Sequence, residues 1–230
     1  MNGRPSVRRG RSAVVLVSGG VESAALLSSS DRSVRLHPLY VRCGLRWEAA
    51  ELHWLRRLLG AVSSARVAPL TLADLPVAQL YAGHWSLGSG PVPGTRTLDR
   101  AVHLPARNLL LASVAAAHAE RCRAGELWIG TLASNPFGDA STGFFRALSA
   151  AASAAVGRRL RITRPLIGSD KAAILRRLDR AGAPHELSFS CIDPRGYLHC
   201  GRCNKCAERA KAYAEAGLAD PTVYAWGSRR

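Results

Sequence analysis

Five consecutive apolar residues, Ala13-Val14-Val15-Leu16-Val17, lead directly into Ser18-Gly19-Gly20 and then into the helix-forming stretch Glu22-Ser23-Ala24-Ala25-Leu26-Leu27. A valine-rich run without polar alternation suits a strand buried on both faces, the condition of a parallel sheet. A two-glycine turn from such a strand into a helix points backbone N–H groups and the positive helix end at one spot, which is an anion site. Gly19 and Gly20 allow close approach of a phosphate and positive φ, while Ser18 and Ser23 add hydroxyl donors. The plain alternative is a turn whose serine caps a helix, and capping chemistry alone does not separate the two. The loop is neither a Walker A motif, since no Gly-Lys-Ser/Thr follows, nor Gly-x-Gly-x-x-Gly.

The rest of the chain alternates in the same way. The pattern predicts a second strand over 34–41, interrupted by Pro38, and a helix over 47–59 on Leu52, Leu55, Leu58 and Leu59, ended by Gly60. A short third strand is expected over 67–70. Residues 82–103 carry Gly83, Gly88, Gly90, Gly94, Pro91 and Pro93 without periodicity, and read as a functional or mobile loop. Helices are expected over 107–121, 143–155 and from the Ser169-Asp170 cap to 181, with Gly182 as its stop. A strand is expected over 126–130, and a last helix from within a cysteine cluster to about 216. Strand–helix alternation predicts an α/β fold with a parallel sheet and helices on both faces. The expected organisation is a basic tail at 1–12, an α/β domain at 13–185, a cysteine region with the terminal helix at 186–221, and a tail at 222–230.

No apolar run approaches the roughly 18 residues that a bilayer span needs. Arg4, Arg8, Arg9 and Arg11 precede the apolar run at 13–17, but that run is too short for a secretory signal, so a cytoplasmic protein is expected. The formal charge of +16 invites a nucleic-acid reading. Nearly all of it is arginine, with Lys171, Lys205 and Lys211 the only lysines, and the arginines are scattered along the sequence. GC-rich coding produces that pattern without selection for binding, so nucleic acid is an open but not favoured partner.

Six cysteines divide unequally, with Cys43 and Cys122 isolated and Cys191, Cys200, Cys203 and Cys206 clustered. A tight cluster of this kind in a reducing compartment points to a metal. Four thiolates make a closed tetrahedral zinc site, expected to be structural because no coordination position stays open. An iron–sulfur cluster and a Cys203/Cys206 redox pair are the lesser alternatives. With four cysteines available, His199 is expected at the surface.

Ser18-Gly19-Gly20-Val21-Glu22-Ser23 resembles the Ser-Gly-Gly-x-Asp-Ser signature of the PP-loop ATP pyrophosphatases. A second set of segments narrows this likeness. Ser190-Cys191, His199-Cys200-Gly201-Arg202-Cys203-Asn204-Lys205-Cys206 and Arg209-Ala210-Lys211-Ala212-Tyr213 resemble the tail of the 7-cyano-7-deazaguanine synthase family. Leu104-Pro105-Ala106-Arg107-Asn108 is similar to that family's Val-Pro-Gly-Arg-Asn segment, and Ile129-Gly130 and Pro165-Leu166 with Asp170-Lys171 have counterparts there. The resemblance runs in order from about residue 13 to 221. It implies a Rossmann-like nucleotide-binding domain of the adenine nucleotide alpha-hydrolase type with a small zinc-binding C-terminal appendage. It also implies a ligase that uses ATP and Mg²⁺ to adenylate a deazapurine carboxylate, with ammonia as second substrate. On that likeness ATP would lie against Val17, Ser18, Gly19, Gly20, Val21 and Glu22, and along Ser23, Ala24, Ala25, Leu26 and Leu27. Arg107, Asn108 and Gly130 complete the ATP set. Catalytic roles fall to Ser18, Glu22, Ser23 and Lys171, a substrate contact to Asp139, and structural Zn²⁺ to the four clustered cysteines. A homodimer is left open.

The sequence also departs from the family. Glu22 replaces Asp, residues 40–48 replace Asp-Tyr-Gly-Gln, and the family's Arg in the 131–141 stretch gives way to Ser141. Two other function classes therefore stand beside the ligase. One is a PP-loop enzyme acting on another substrate, such as a tRNA-modifying enzyme with Cys43 as the early catalytic cysteine. The other is a non-enzymatic zinc-ribbon module that binds nucleic acid.

Overall fold

The computed structural model describes residues 10–226. Strand β1 (Ser12–Leu16) passes through the Gly19-Gly20 turn into α1 (Val21–Leu27), and β2 (Arg35–Arg42) and α2 (Glu48–Ala61) repeat the unit. The elements β3 (Thr71–Asp74), α3 (Arg107–Cys122), β4 (Glu126–Trp128), α4 (Thr142–Ala155), β5 (Arg161–Thr163), α5 (Lys171–Arg180) and α6 (Asn204–Ala216) follow. The five strands form one sheet in the order β3-β2-β1-β4-β5, parallel throughout. The expected α/β class holds.

The apolar run of β1 is explained by its position. Ala13 and Val15 face one core with α1, α5 and α6, whereas Val14 faces the other with α3 and α4. Both faces are covered, so neither parity of the strand can be polar. Val14 and Val15 are fully buried. Chain order turns back between β1 and β4, and ligands of open parallel sheets bind at such a switch point, outside the carboxyl ends of the strands.

Pro38 sits inside β2 without breaking it. Leu36 N–H donates to Arg66 on the β3 side, so Pro38, two residues on, would have donated to the same side. There the neighbouring chain makes a lone bridge at Val67 and its ladder starts only opposite Leu39, so the missing donor falls in a gap. The third strand accordingly lies at Thr71–Asp74 and not over 67–70, where Pro69 lacks an N–H. Gly60 does not end α2. The helix runs on to Ala61, and Val62 N–H closes on Leu58 O. Three-residue β5 has no sequence signal of its own, being shorter than a recognisable apolar run.

The glycine-rich loop contains two short 3₁₀ turns, Trp85–Leu87 and Asp99–Val102. It is tied to the cysteine segment by Asn204 N–H on Pro93 O (2.9 Å), Asn204 Nδ2 on Thr97 O (2.8 Å) and a bridge between Gly94 and Cys203. The four cysteines lie within the same apolar core as α3 and α4, so this segment is built into the wall of the domain.

Candidate active site

At the carboxyl ends of β1, β2 and β4 a cavity of about 580 Å³ opens, bounded by Ser18, Gly20, Ser23, Arg107, Gly130 and Lys171 among others. The loop forms its floor. Ser18 N–H donates to Ser23 Oγ (2.9 Å), which folds the loop over the start of α1. No side chain caps that helix, whose first residue follows Gly20 at φ −68° and ψ 173°. Gly19 takes φ +82°, and its carbonyl accepts from Phe189 N–H (2.8 Å), joining the loop to the cysteine segment. A Cβ at Gly130 would stand 2.9 Å from Glu22 Cβ, closer than carbon atoms tolerate. The end of β4 can therefore press against α1 only as glycine.

Lys171, the first residue of α5, reaches into this wall. Its Nζ lies 3.3 Å from Glu22 Oε1 and also bonds Glu208, which is paired with Lys205 in turn. Burial pulls the Lys171 ammonium down, but the carboxylates of Glu22 and Glu208 outweigh it and hold the group above its usual value. Burial likewise pushes Glu208 up, and Lys171 and Lys205 override it to leave the carboxyl at about 2. A permanently charged ammonium beside the loop can neutralise phosphate oxygens, and it is held by a Glu22 carboxylate one methylene longer than Asp.

The opposite wall combines aromatic and buried polar groups. Trp47 and Trp85 stack at 5.6 Å between ring centres, and both border the cavity with Phe137 and Leu104. Glu51 is buried and accepts from Tyr40 Oη at 2.7 Å. Burial raises the Glu51 carboxyl to about 7, although Arg107 and the Tyr40 hydroxyl pull it back. Arg107 Nε is buried on this wall without a hydrogen-bond partner among the described residues. Cys43 is buried nearby, and desolvation raises its thiol, so it rests as a thiol and not a thiolate.

The sequence-derived residues separate clearly. Val17, Ser18, Gly20, Glu22, Ser23, Arg107, Asn108, Gly130 and Lys171 line one cavity. Gly19 and Val21 support the loop from behind. Ala24, Ala25, Leu26 and Leu27 pack into the core beneath it. Asp139 is engaged elsewhere: its Oδ2 accepts from Asn108 N–H and its carbonyl from Asn108 Nδ2, both at 2.9 Å, which braces the start of α3. Sequence reasoning missed Glu51, Tyr40, Glu208 and the tryptophan pair. A polar Glu51 one position before the apolar stripe of α2 was the available signal for the first.

The sulfurs of Cys191, Cys200, Cys203 and Cys206 all lie within 4.8 Å of one another. The Cys191–Cys203 and Cys200–Cys206 pairs are each at 3.9 Å. A tetrahedron of thiolates at a metal–sulfur distance of about 2.3 Å has edges of about 3.8 Å, so the four fit a single ion. Backbone N–H groups of Cys200, Gly201, Arg202 and Asp193 donate to three of these sulfurs at 3.2–3.4 Å, which favours the thiolate. His199 is buried, not at the surface. Its Nε2 accepts from Ser190 N–H at 3.3 Å, and its ring lies 4.5 Å from that of Phe189. Burial, then Arg209, drives the imidazole down to about 3, so it stays neutral and packs as an acceptor.

Over residues 12–217 the chain matches the family described as Queuosine biosynthesis protein QueC. A 7-cyano-7-deazaguanine synthase of Anaeromyxobacter sp. (strain Fw109-5) is 36% identical over 232 residues, covering 96% of this chain and 97% of that protein. The protein of that name from Anaeromyxobacter dehalogenans is 35% identical over 226 residues, covering 94% and 96%. That from Methanothermobacter thermautotrophicus is 29% identical over 223 residues, covering 92% and 98%. Among solved structures, a 4-thiouridine synthetase–RNA complex with bound ATP has a TM-score of 0.47 at 19% identity, covering 90% of this chain and 50% of that chain. With the family match spanning nearly every described residue, this chain belongs to the QueC family.

Proposed function

We propose that the protein is an ATP-dependent carbon–nitrogen ligase that converts 7-carboxy-7-deazaguanine and ammonia into 7-cyano-7-deazaguanine. The observation that carries this reading is the single cavity in which the Ser18–Ser23 loop, the clamped Lys171 ammonium and the Trp47/Trp85 wall meet. A free carboxylate resists attack by ammonia because its leaving group is oxide. Adenylation replaces that with AMP. The loop N–H groups and Lys171 would hold the phosphates, and the aromatic wall a planar bicyclic base. The carboxylate oxygen attacks the α-phosphorus and pyrophosphate leaves; ammonia then displaces AMP to give the amide. A second ATP takes the amide oxygen, and loss of AMP with two N–H protons leaves the nitrile.

Glu51, near neutrality in its buried setting, is suited to receive a proton from the attacking amine. Arg107, which lines the cavity, would orient an anionic group with its guanidinium. Mg²⁺ accompanying the nucleotide would neutralise phosphate charge. Zn²⁺ is the ion assigned to the four cysteines, where it would pin Phe189 and the loop, and a cytosolic setting would keep those thiolates reduced. The thiolation alternative needs an activated cysteine at the cavity, and the buried, protonated Cys43 does not support it.

The test is incubation with ATP, Mg²⁺, ammonia and 7-carboxy-7-deazaguanine, followed by mass spectrometry. Formation of the nitrile with AMP and pyrophosphate is expected. Failure of AMP to form with any deazaguanine would overturn the assignment.

A further inference from the structure

At the amino ends of the strands, opposite the cavity, lies an open depression of about 930 Å³. Seven of its fifteen lining residues are arginine, where an even spread of the chain's arginines would place about two. The topology explains how residues scattered in sequence meet. In a parallel sheet every helix-to-strand connection returns to the same edge, and here each connection brings arginine with it. Arg32 and Arg35 arrive on the connection to β2, Arg66 on that to β3, Arg123 on that to β4, and Arg159 and Arg161 on that to β5. Arg11 leads into β1.

The protein neutralises only part of this charge. Glu126 binds Arg11 at 3.0 Å and Arg161 at 2.7 Å, and Asp31 binds Arg11 at 2.8 Å. Arg66 is occupied with the carbonyls of Leu27, Ser29 and Asp31. Arg32, Arg35, Arg123 and Arg159 are exposed and have no ion-pair partner among the described residues. Like charges gathered in one concavity repel each other, and a mobile polyanion relieves that by releasing its own counterions. The lining offers no Phe, Tyr, Trp or large aliphatic side chain, and half-buried His37 is its one ring, so neither a base-stacking platform nor apolar docking of a protein or a bilayer is provided for. Guanidinium groups alone fit a spaced row of phosphates.

We propose that this edge of the sheet binds the phosphodiester backbone of RNA without reading its bases, independently of the small-molecule chemistry at the opposite edge. Such binding would tether the enzyme to RNA while leaving its cavity open.

The experiment is fluorescence anisotropy of a labelled 20-nucleotide RNA with the full chain at 100 mM salt. The triple variant R35A/R123A/R159A is compared with R56A/R177A/R180A, which removes equal charge from exposed positions on α2 and α5. ATP-dependent AMP release by both variants serves as the folding check, because none of these residues borders the cavity. At least a tenfold loss of affinity is expected for the first variant. Its slope of log affinity against log salt should flatten by about 2, at roughly 0.7 per lost single-strand phosphate contact. The second variant should bind nearly as the parent does. Equal weakening of both variants, no binding by the parent at 10 µM protein, or binding of inorganic polyphosphate without RNA would each overturn the proposal.

Discussion

Replacing Glu51 with Gln should make the protein more stable, by an amount that grows as pH rises from about 4.5 to about 7 and is full above that. The side chain lies between α2 and β2 with Tyr40 Oη donating to Oε2 at 2.7 Å, a bond that an amide oxygen accepts equally well. Burial dominates and lifts the carboxyl from 4.5 to about 7, with Glu48 also disfavouring the negative charge, while Arg107 and the donating Tyr40 hydroxyl favour it and are outweighed. The sign follows from which state holds the proton. Below about pH 4.5 the folded and unfolded chains both carry the acid, and Glu and Gln are equivalent. As pH rises, the unfolded chain ionises first, and the native state loses stability until its own carboxyl titrates near 7. The gap of about 2.5 between those values, at about 1.36 kcal/mol for each, comes to about 3 kcal/mol. Guanidinium chloride unfolding followed by tryptophan fluorescence should find E51Q ahead of the parent by less than about 1 kcal/mol at pH 5 and by about 3 kcal/mol at pH 8.5. A parent that gains on E51Q as pH rises would refute the reasoning, because it would mean that Glu51 is ionised and stabilised by its neighbours.

Lys171→Met should lower kcat/KM by about 10²- to 10³-fold through loss of phosphate stabilisation, read in the AMP-release assay. It should also cost about 2 kcal/mol in denaturant unfolding, less than a fully buried pair, because the Glu208 side chain is 35% exposed. Ala106→Gly should stabilise the chain by about 1 kcal/mol, since Ala106 holds φ +55° at the start of α3. Thermal unfolding should show it as a rise of a few degrees. Metal analysis should find one ion per chain, and prolonged treatment with a strong chelator should remove it together with the cooperative unfolding transition. Retention of the transition without the ion would contradict a structural role.

Much of the fold was legible because its determinants are local. The unbroken apolar run at 13–17 required a strand covered on both faces, and the glycines at 19 and 20 fixed where the chain turns. The Asp170 cap was equally readable, and its carboxylate accepts from Ala173 N–H at 2.6 Å. The strand at 71–74 was misplaced because its edges are set by a proline gap in the neighbouring ladder, a pairing fact with no local signature. His199 was assigned to the surface by ligand counting, yet residues 223–226 fold back on it, with Ala225 N–H on His199 O at 2.8 Å. At the candidate site the loop, Lys171 and the cysteines could be read from motif and spacing. Glu208 could not, because its partner Lys171 is 37 residues away and only the packing of α6 on α5 brings them together. The arginine edge is the clearest case of charge that looks dispersed in sequence and becomes concentrated through topology.

The central proposal is that the ligase transfers AMP first to a carboxylate oxygen and then to the amide oxygen on the same carbon, and oxygen labelling tests it most directly. A substrate carrying ¹⁸O in both carboxylate oxygens should yield nitrile and two AMP molecules per turnover, each with one ¹⁸O, because every oxygen leaves the carbon on a phosphorus. Unlabelled AMP, or label appearing in pyrophosphate or inorganic phosphate, would contradict the account.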